Sequence, residues 1–413
     1  MKTGWKKNTS YFLLCQAISL FGSSLVQYAI MWHITLNTES GVMMMISIIC
    51  GFLPAFFLSP FAGVWADRYN RKHLIIISDS GIAAATLILA IVFMLGYRNI
   101  WLLFVVSAVR ALGTGIQVPA VSSFLPLLVP ENKLTRVNGI NNSLQSAITL
   151  LSPMVSGVLM SFAAIESIFF IDVATAIVAV TGMMWLVRVP PHEKAQQKQL
   201  TGYFEDFRTG LLYIKGHAYI RQFFIFSAAF FFLVTPAAFL TPLQVARSFG
   251  DDVWRLTAIE IAFSGGMMLG GFLMAAWGGF KNRARSMAVA GFAIAVCTIA
   301  LGVVPFFWLY LMVMVLTGVA IPVYSTPAMV LLQERIEESY MGRVFGVYGM
   351  ISSSLMPIGM LIFGPVSDSV AIEWLLIGTG ILLLIQSVFL LINKTLYQAG
   401  KPPERLPENV VNN

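Results

Sequence analysis

Residues 375–392 read LLIGTGILLLIQSVFLLI, a run without a single charge. As a helix it rises about 27 Å, close to the roughly 30 Å of a bilayer's hydrocarbon core. A transmembrane strand would alternate apolar and polar side chains over about ten residues. Neither this run nor ATLILAIVFML at 85–95 alternates, so in lipid the backbone has to satisfy its own hydrogen bonds as a helix.

Working outward, the same pattern fills the chain. Of 413 residues, 58% are hydrophobic and 11% charged, which is far outside the balance of a soluble domain. Hydropathy predicts spans at 10–36, 41–66, 73–96, 100–127, 138–163 and 165–187, then at 219–247, 253–278, 286–304, 307–332, 344–367 and 372–393. The predicted fold class is therefore all-α: a polytopic membrane protein of twelve transmembrane helices in two six-helix halves. The expected organisation is an N-terminal bundle at 1–188, a cytoplasmic linker at 189–218, a C-terminal bundle at 219–398 and a disordered cytoplasmic tail at 399–413. The first span is too long for a signal peptide and lacks a small-residue cleavage site, so it counts as a helix.

Sorting the cations by alternate loops puts 22 of the 26 Lys and Arg on one side, from Lys2, Lys6 and Lys7 through to Arg405. Arg98, Arg247 and Arg255 fall on the other, and Arg110 lies within a span. The positive-inside rule then makes both termini cytoplasmic. Cations spread in this way form no nucleic-acid patch, so the net charge of +7 reflects orientation in the membrane. Cys15, Cys50 and Cys297 sit in apolar runs with no disulfide or metal spacing, and the four histidines are scattered. No cofactor and no metal site are expected. Nor does any loop contain a phosphate-binding Gly-x-x-x-x-Gly-Lys-Ser/Thr, which excludes an ATP-driven pump, and the absence of a nucleophile elbow argues against an enzyme.

An offset of about 205 residues lays LTRVNGI (134–140) over MGRVFGV (341–347), matching Arg136 with Arg343, and pairs Pro119 with Pro322. Two halves with matched marks are the sequence trace of a transporter whose site lies between repeats. The loop after the second span reads GVWADRYNRKHL (63–74). Gly63 permits close helix approach, Asp67 can pair or cap, and Arg68 and Arg71 supply cations, which together suit a latch at the inner face. The corresponding loop, AAWGGFKNRAR (275–285), has Gly279 in place of Asp67.

The loop GVWADRYNRK resembles the signature of the major facilitator superfamily. The wider likeness is to drug:proton antiporters of the macrolide efflux (Mef) type, carried by QAISLFGSSLVQ (16–27), SLQSAITLLSPMVSGVL (143–159), IEIAFSGGMMLGG (259–271) and MGRVFGVYGMISSSLMPIG (341–359). Where the antiporter pattern in the fifth span is glycine-rich, SPMVSG (152–157) keeps Pro153 and Gly157 but carries Ser152 and Ser156, so the resemblance rests on the whole chain. It implies a multi-pass protein of the bacterial plasma (inner) membrane, working as a monomer in the lipid bilayer. Macrolide-like amphipathic drugs would leave in exchange for protons by alternating access. The alternative cargo is another amphipathic metabolite, such as a siderophore, whose acidic groups Arg110 would suit.

An intramembrane charge costs about 2.5–3.5 kcal/mol on insertion scales unless paired or wetted, so polar residues in the spans point to the pathway. Ser107, Arg110, Thr114 and Gln117 share one face of the fourth span, and Asn138, Asn141, Gln145, Thr149, Ser152 and Ser156 one face of the fifth. Gln16, Ser19, Ser23 and Gln27 stripe the first. Gln27, Gln117, Asn141 and Gln145 are candidate cavity residues, with Phe230 and Tyr324 as aromatic walls, while packing between helices better explains the Ser and Thr positions and most of the Phe. Arg110, Asp172 and Glu260 form the candidate proton relay: by residue count all three lie roughly 10–15 Å below the outer surface. Asp79, nearer the inner edge, reads as structural.

Overall fold

The computed structural model describes residues 4–188 and 203–401, and all regular structure in them is helical. The first six helices are α1 (Trp5–Thr38), α2 (Gly41–Arg68), α3 (Arg71–Met94), α4 (Ile100–Leu128), α5 (Leu134–Phe162) and α6 (Ile165–Leu186). After α7 (Tyr203–Gly216) come α8 (Ala218–Leu233), α9 (Thr235–Phe239) and α10 (Thr241–Phe249). The last six are α11 (Val253–Trp277), α12 (Arg283–Val303), α13 (Phe307–Arg335), α14 (Glu338–Ser369), α15 (Ile372–Ile392) and α16 (Lys394–Ala399).

Eleven of these helices are long and apolar enough to cross a bilayer. The predicted seventh span, 219–247, is instead three helices. Aromatic-rich α8 stops at Leu233, and Pro236 opens α9 in its first turn, where a missing N–H costs nothing. Elsewhere the ends follow side-chain chemistry. Ser40, Asn70, Asn99, Asn282 and Asn393 each accept a backbone N–H from the helix they begin, which satisfies donors that no intrahelical partner reaches.

Apolar side chains point outward as well as inward. Only 11% of the most apolar window of α2 is buried inside the protein, and Phe162, Trp185 and Trp308 are exposed. That surface is stable only against lipid. The chain is a multi-pass membrane protein.

It divides into two compact units: Met1–Leu200 with Pro242–Ile261, and Thr201–Thr241 with Ala262–Asn413. The expected boundary before 219 groups whole spans, whereas packing assigns 242–261 to the first unit. There Arg247 Nε donates to the Glu39 carbonyl at 3.0 Å. Unit 1 has one apolar core around Leu25, Phe93, Leu103 and Phe169 and another around Phe12, Ile75, Phe124 and Met183. One end is tied by Asn8, which exchanges two hydrogen bonds with the Arg188 backbone, and by Lys72, whose ammonium donates to the carbonyls of Met184 and Val187 at the C-terminal end of α6.

Unit 2 packs around Phe223, Phe230, Tyr324 and Leu331. Its α7 lies on α14, with Tyr213 stacked on Tyr340 at 4.4 Å. The expected disordered tail is ordered at its start. Arg283 N donates to the Gly400 carbonyl at 2.8 Å, Asn282 Nδ2 to that of Tyr397, and Arg335 to those of Ala399 and Lys401. The remainder of the tail, and linker residues 189–202, lie outside the described residues.

Close helix approach occurs at other glycines than the one expected. A Cβ on Gly63 would meet open space, so the tight contact predicted there is not made by the described residues. A Cβ on Gly266 would collide with the Val315 carbonyl and lie 3.1 Å from Gly318 Cα, because α11 and α13 meet backbone to backbone. Gly266→Val should therefore destabilise the purified protein by about 1–3 kcal/mol, read as a lower unfolding temperature, while Gly63→Ala should leave it within about 0.5 kcal/mol of the parent.

Candidate functional site

The polar stripes of α1 and α4 meet α3 and α6 inside unit 1 and resolve into two layers. In the first, Arg110 Nη1 lies 2.6 Å from Asp172 Oδ2, with side chains 7% and 1% exposed. The same nitrogen donates to Thr86 Oγ1, and Nη2 donates to the Ser23 carbonyl at 3.0 Å. Ser23 Oγ completes the cluster by donating to Asp172 Oδ1 at 3.3 Å. Four helices thus converge on one charge pair, and the guanidinium's fork geometry lets it serve three of them at once.

Seven residues further along α4, about 10 Å, lies the second layer. Gln117 Nε2 donates to Asp79 Oδ1 at 2.5 Å. Beside it opens a cavity of about 360 Å³ whose polar wall is Gln16, Gln117, Asn138, Asn141, Asn142 and Gln145, with Phe12, Leu20, Leu125 and Ile148 as apolar wall. Among the described residues, no charged side chain lines it.

Of the predicted cavity residues, Gln117, Asn141 and Gln145 come together here. Gln27 does not: it is eleven residues up α1 from Gln16 and faces Gly51 on α2. Phe230 and Tyr324 belong to the core of unit 2, stacked on each other at 4.1 Å and each 5% exposed, so they wall no part of this cavity. The α5 stripe splits in two. Asn138, Asn141 and Gln145 face the cavity, while Ser152 and Ser156 are fully buried and Ser156 Oγ donates to the Leu25 carbonyl at 3.2 Å. Helical periodicity gives the face but not the point along it where packing gives way to open space. It also passes over Asn142, which lines the cavity from one step off the stripe.

The predicted relay also divides. Arg110 and Asp172 are joined, whereas Glu260 on α11 contacts neither and makes no hydrogen bond or ion pair among the described residues. Tyr28 is the group in electrostatic reach of it. Of the predicted latch, Arg71 Nε donates to the Ala66 carbonyl at 2.8 Å, which folds the side chain back over the end of α2. Arg68 ends α2 exposed, Arg136 is exposed in the first turn of α5, and Arg343 lies over the Tyr340 ring at 5.7 Å. The side chain of Asp67 lies outside the described residues. At the other end of unit 1, Arg98 pairs with buried Glu166 at 2.7 Å, a contact that the sequence reading did not anticipate. No group of His, Cys, Asp or Glu among the described residues could hold a metal ion.

Helical spans in two units, a buried Arg in the fourth and a basic loop after the second agree with what a comparison of families finds: the Major Facilitator Superfamily profile matches residues 12–360. The chain belongs to this superfamily. It is 30% identical over 393 residues to macrolide efflux protein A of Streptococcus pyogenes, covering 94% of this chain and 97% of that one. It is 31% identical over 314 residues to macrolide efflux protein A of Enterococcus faecalis, covering 76% and 97%. Among solved structures, a bacterial homolog of the human lysosomal transporter Spinster, inward-facing and unoccupied, superposes with a TM-score of 0.70 at 14% identity, covering 98% of this chain and all of that one. The nucleoside transporter NupG gives 0.66 at 13% identity, covering 92% and 98%. The fold is that of the superfamily's transporters, a class without enzymatic chemistry.

The buried pair sets a stability test. Removing one partner strands the other charge, at a cost of about 3–5 kcal/mol, whereas replacing both with apolar residues costs far less. Arg110→Ala should thus lower the folded fraction extracted from membranes, and Arg110→Met combined with Asp172→Leu should restore it, as read by size-exclusion profile and thermal unfolding.

Proposed function

We propose that this superfamily transporter exports macrolide-like, largely apolar drugs across a bacterial plasma membrane in exchange for protons, by alternating access, with both termini in the cytoplasm. The observation that carries this reading is the 30% identity to macrolide efflux protein A over nearly the full length of both chains. The uncharged cavity with one apolar and one amide wall supports it, since such a surface suits an amphipathic molecule better than an ion.

Roles follow from what each side chain is free to do. Glu260 is the proton carrier in this scheme, because a carboxyl without a hydrogen-bond partner among the described residues can gain and lose a proton without dismantling its surroundings. Arg110 and Asp172 couple by position, holding α1, α3, α4 and α6 together while the proton moves elsewhere. Gly63, Asp67, Arg68, Arg71, Arg136 and Arg343 form the gating set at the inner face. An acidic cargo such as a siderophore gains no support, as the guanidinium of Arg110 is already taken up by Asp172, Thr86 and Ser23.

Cells expressing the chain should accumulate less radiolabelled macrolide than control cells, and an uncoupler should abolish the difference; equal accumulation refutes the drug assignment. Glu260→Gln should lose net uncoupler-sensitive export by tenfold or more yet retain exchange of labelled for unlabelled macrolide in proteoliposomes, because exchange needs no net proton transfer.

A further inference from the structure

The cavity of unit 1 carries chemistry that drug export alone does not explain. Six of its lining side chains are carboxamides, brought from α1, α4 and α5. Five of them, Gln16, Asn138, Asn141, Asn142 and Gln145, make no side-chain hydrogen bond among the described residues. An unpaired carboxamide offers two N–H donors and one carbonyl acceptor on the same short side chain. A hydroxyl also donates and accepts, so a row of carboxamides matches a row of hydroxyls, while a cation would find no carboxylate and an anion no Lys or Arg among the described residues of the wall.

The sixth carboxamide is held. The 2.5 Å contact from Gln117 Nε2 to Asp79 Oδ1 commits the amino group of Gln117 to α3 and leaves its carbonyl oxygen as the polar atom this lining side chain can offer the cavity. Asp79 itself does not line the cavity; it is 4% exposed. Gln117 is thus anchored on Asp79, and the one evident consequence of that carboxyl at the cavity wall is how Gln117 is held.

We propose that this cavity recognises the uncharged, polyhydroxylated part of the cargo, a glycosyl group on an apolar body, and that Asp79 is a positioning residue that aims the Gln117 carbonyl at one of its hydroxyls. The inference deepens the export reading and rests on it for the site's being the cargo site. The apolar wall at Phe12, Leu20, Leu125 and Ile148 takes the body of the molecule, and the amide wall takes the sugar.

The test uses the full chain in lipid nanodiscs and three small probes: hexyl β-glucoside, the hexyl tetrahydropyranyl ether that lacks its hydroxyls, and hexyltrimethylammonium. Saturable binding of the glucoside, tighter than that of the ether or the ammonium, is expected. Gln117→Leu should lower the glucoside-to-ether affinity ratio by about two- to tenfold, the range for one lost neutral hydrogen bond. Asp79→Asn should lower it by a similar factor, and the double variant should fall no further than Gln117→Leu alone. A merely structural role for Asp79 would reduce the amount of binding-competent protein and leave that ratio unchanged. Equal binding of glucoside and ether, a preference for the ammonium, or additive losses in the double variant would overturn the proposal. Because the glucoside is measured without any macrolide, a macrolide that fails to displace it removes the drug reading alone. A glucoside that fails while macrolide export persists removes only the recognition proposed here.

Discussion

A backbone in hydrocarbon has no water to turn to, so each N–H and C=O must be answered inside the chain. That constraint makes the described residues helical from end to end and confines irregular backbone to short connections. It also explains why Asn and Ser open so many of the helices: at those points the first free N–H groups are answered by a side chain within two or three residues. Where α8 ends ahead of Pro236, the Val234 N–H answers the Phe230 carbonyl, so the break leaves that acceptor satisfied.

Polar side chains inside unit 1 obey the same rule, and their arrangement separates structure from function. The Arg110 cluster is closed: each charged group has its counterpart, and the layer binds four helices without leaving a site. The amide layer is open, with donors and acceptors turned to a cavity. A closed polar layer confers rigidity and an open one confers recognition, and here the two are stacked along the same α4 face.

The class and eleven of the twelve predicted spans were legible because an uninterrupted apolar run admits one solution in lipid. The Arg110–Asp172 pair was legible in part: cost alone says that a charge in a span has a partner, and counting residues placed both at one depth. What sequence could not supply is rotation and stacking between helices. Gln27 and Gln117 look alike as polar residues in a stripe, yet one faces α2 and the other Asp79. Phe230 and Tyr324 read as cavity walls by type, but their mutual stacking in a core depends on how α8 and α13 approach, which no local pattern encodes. Gly63 was read from its motif, whereas tight glycine contacts arise elsewhere, as at Gly266 and Gly318, where two backbones cross.

The ion pair between α4 and α6 spans 62 residues of sequence. At ribosomal rates of about 5–20 residues per second, the guanidinium is therefore made some 3–12 s before its counter-ion exists. Of the partners it ends with, only Ser23 and Thr86 have been made by then. The order of synthesis thus gives the guanidinium its neutral partners first and its counter-ion last, so the layer can close only once α6 has been made.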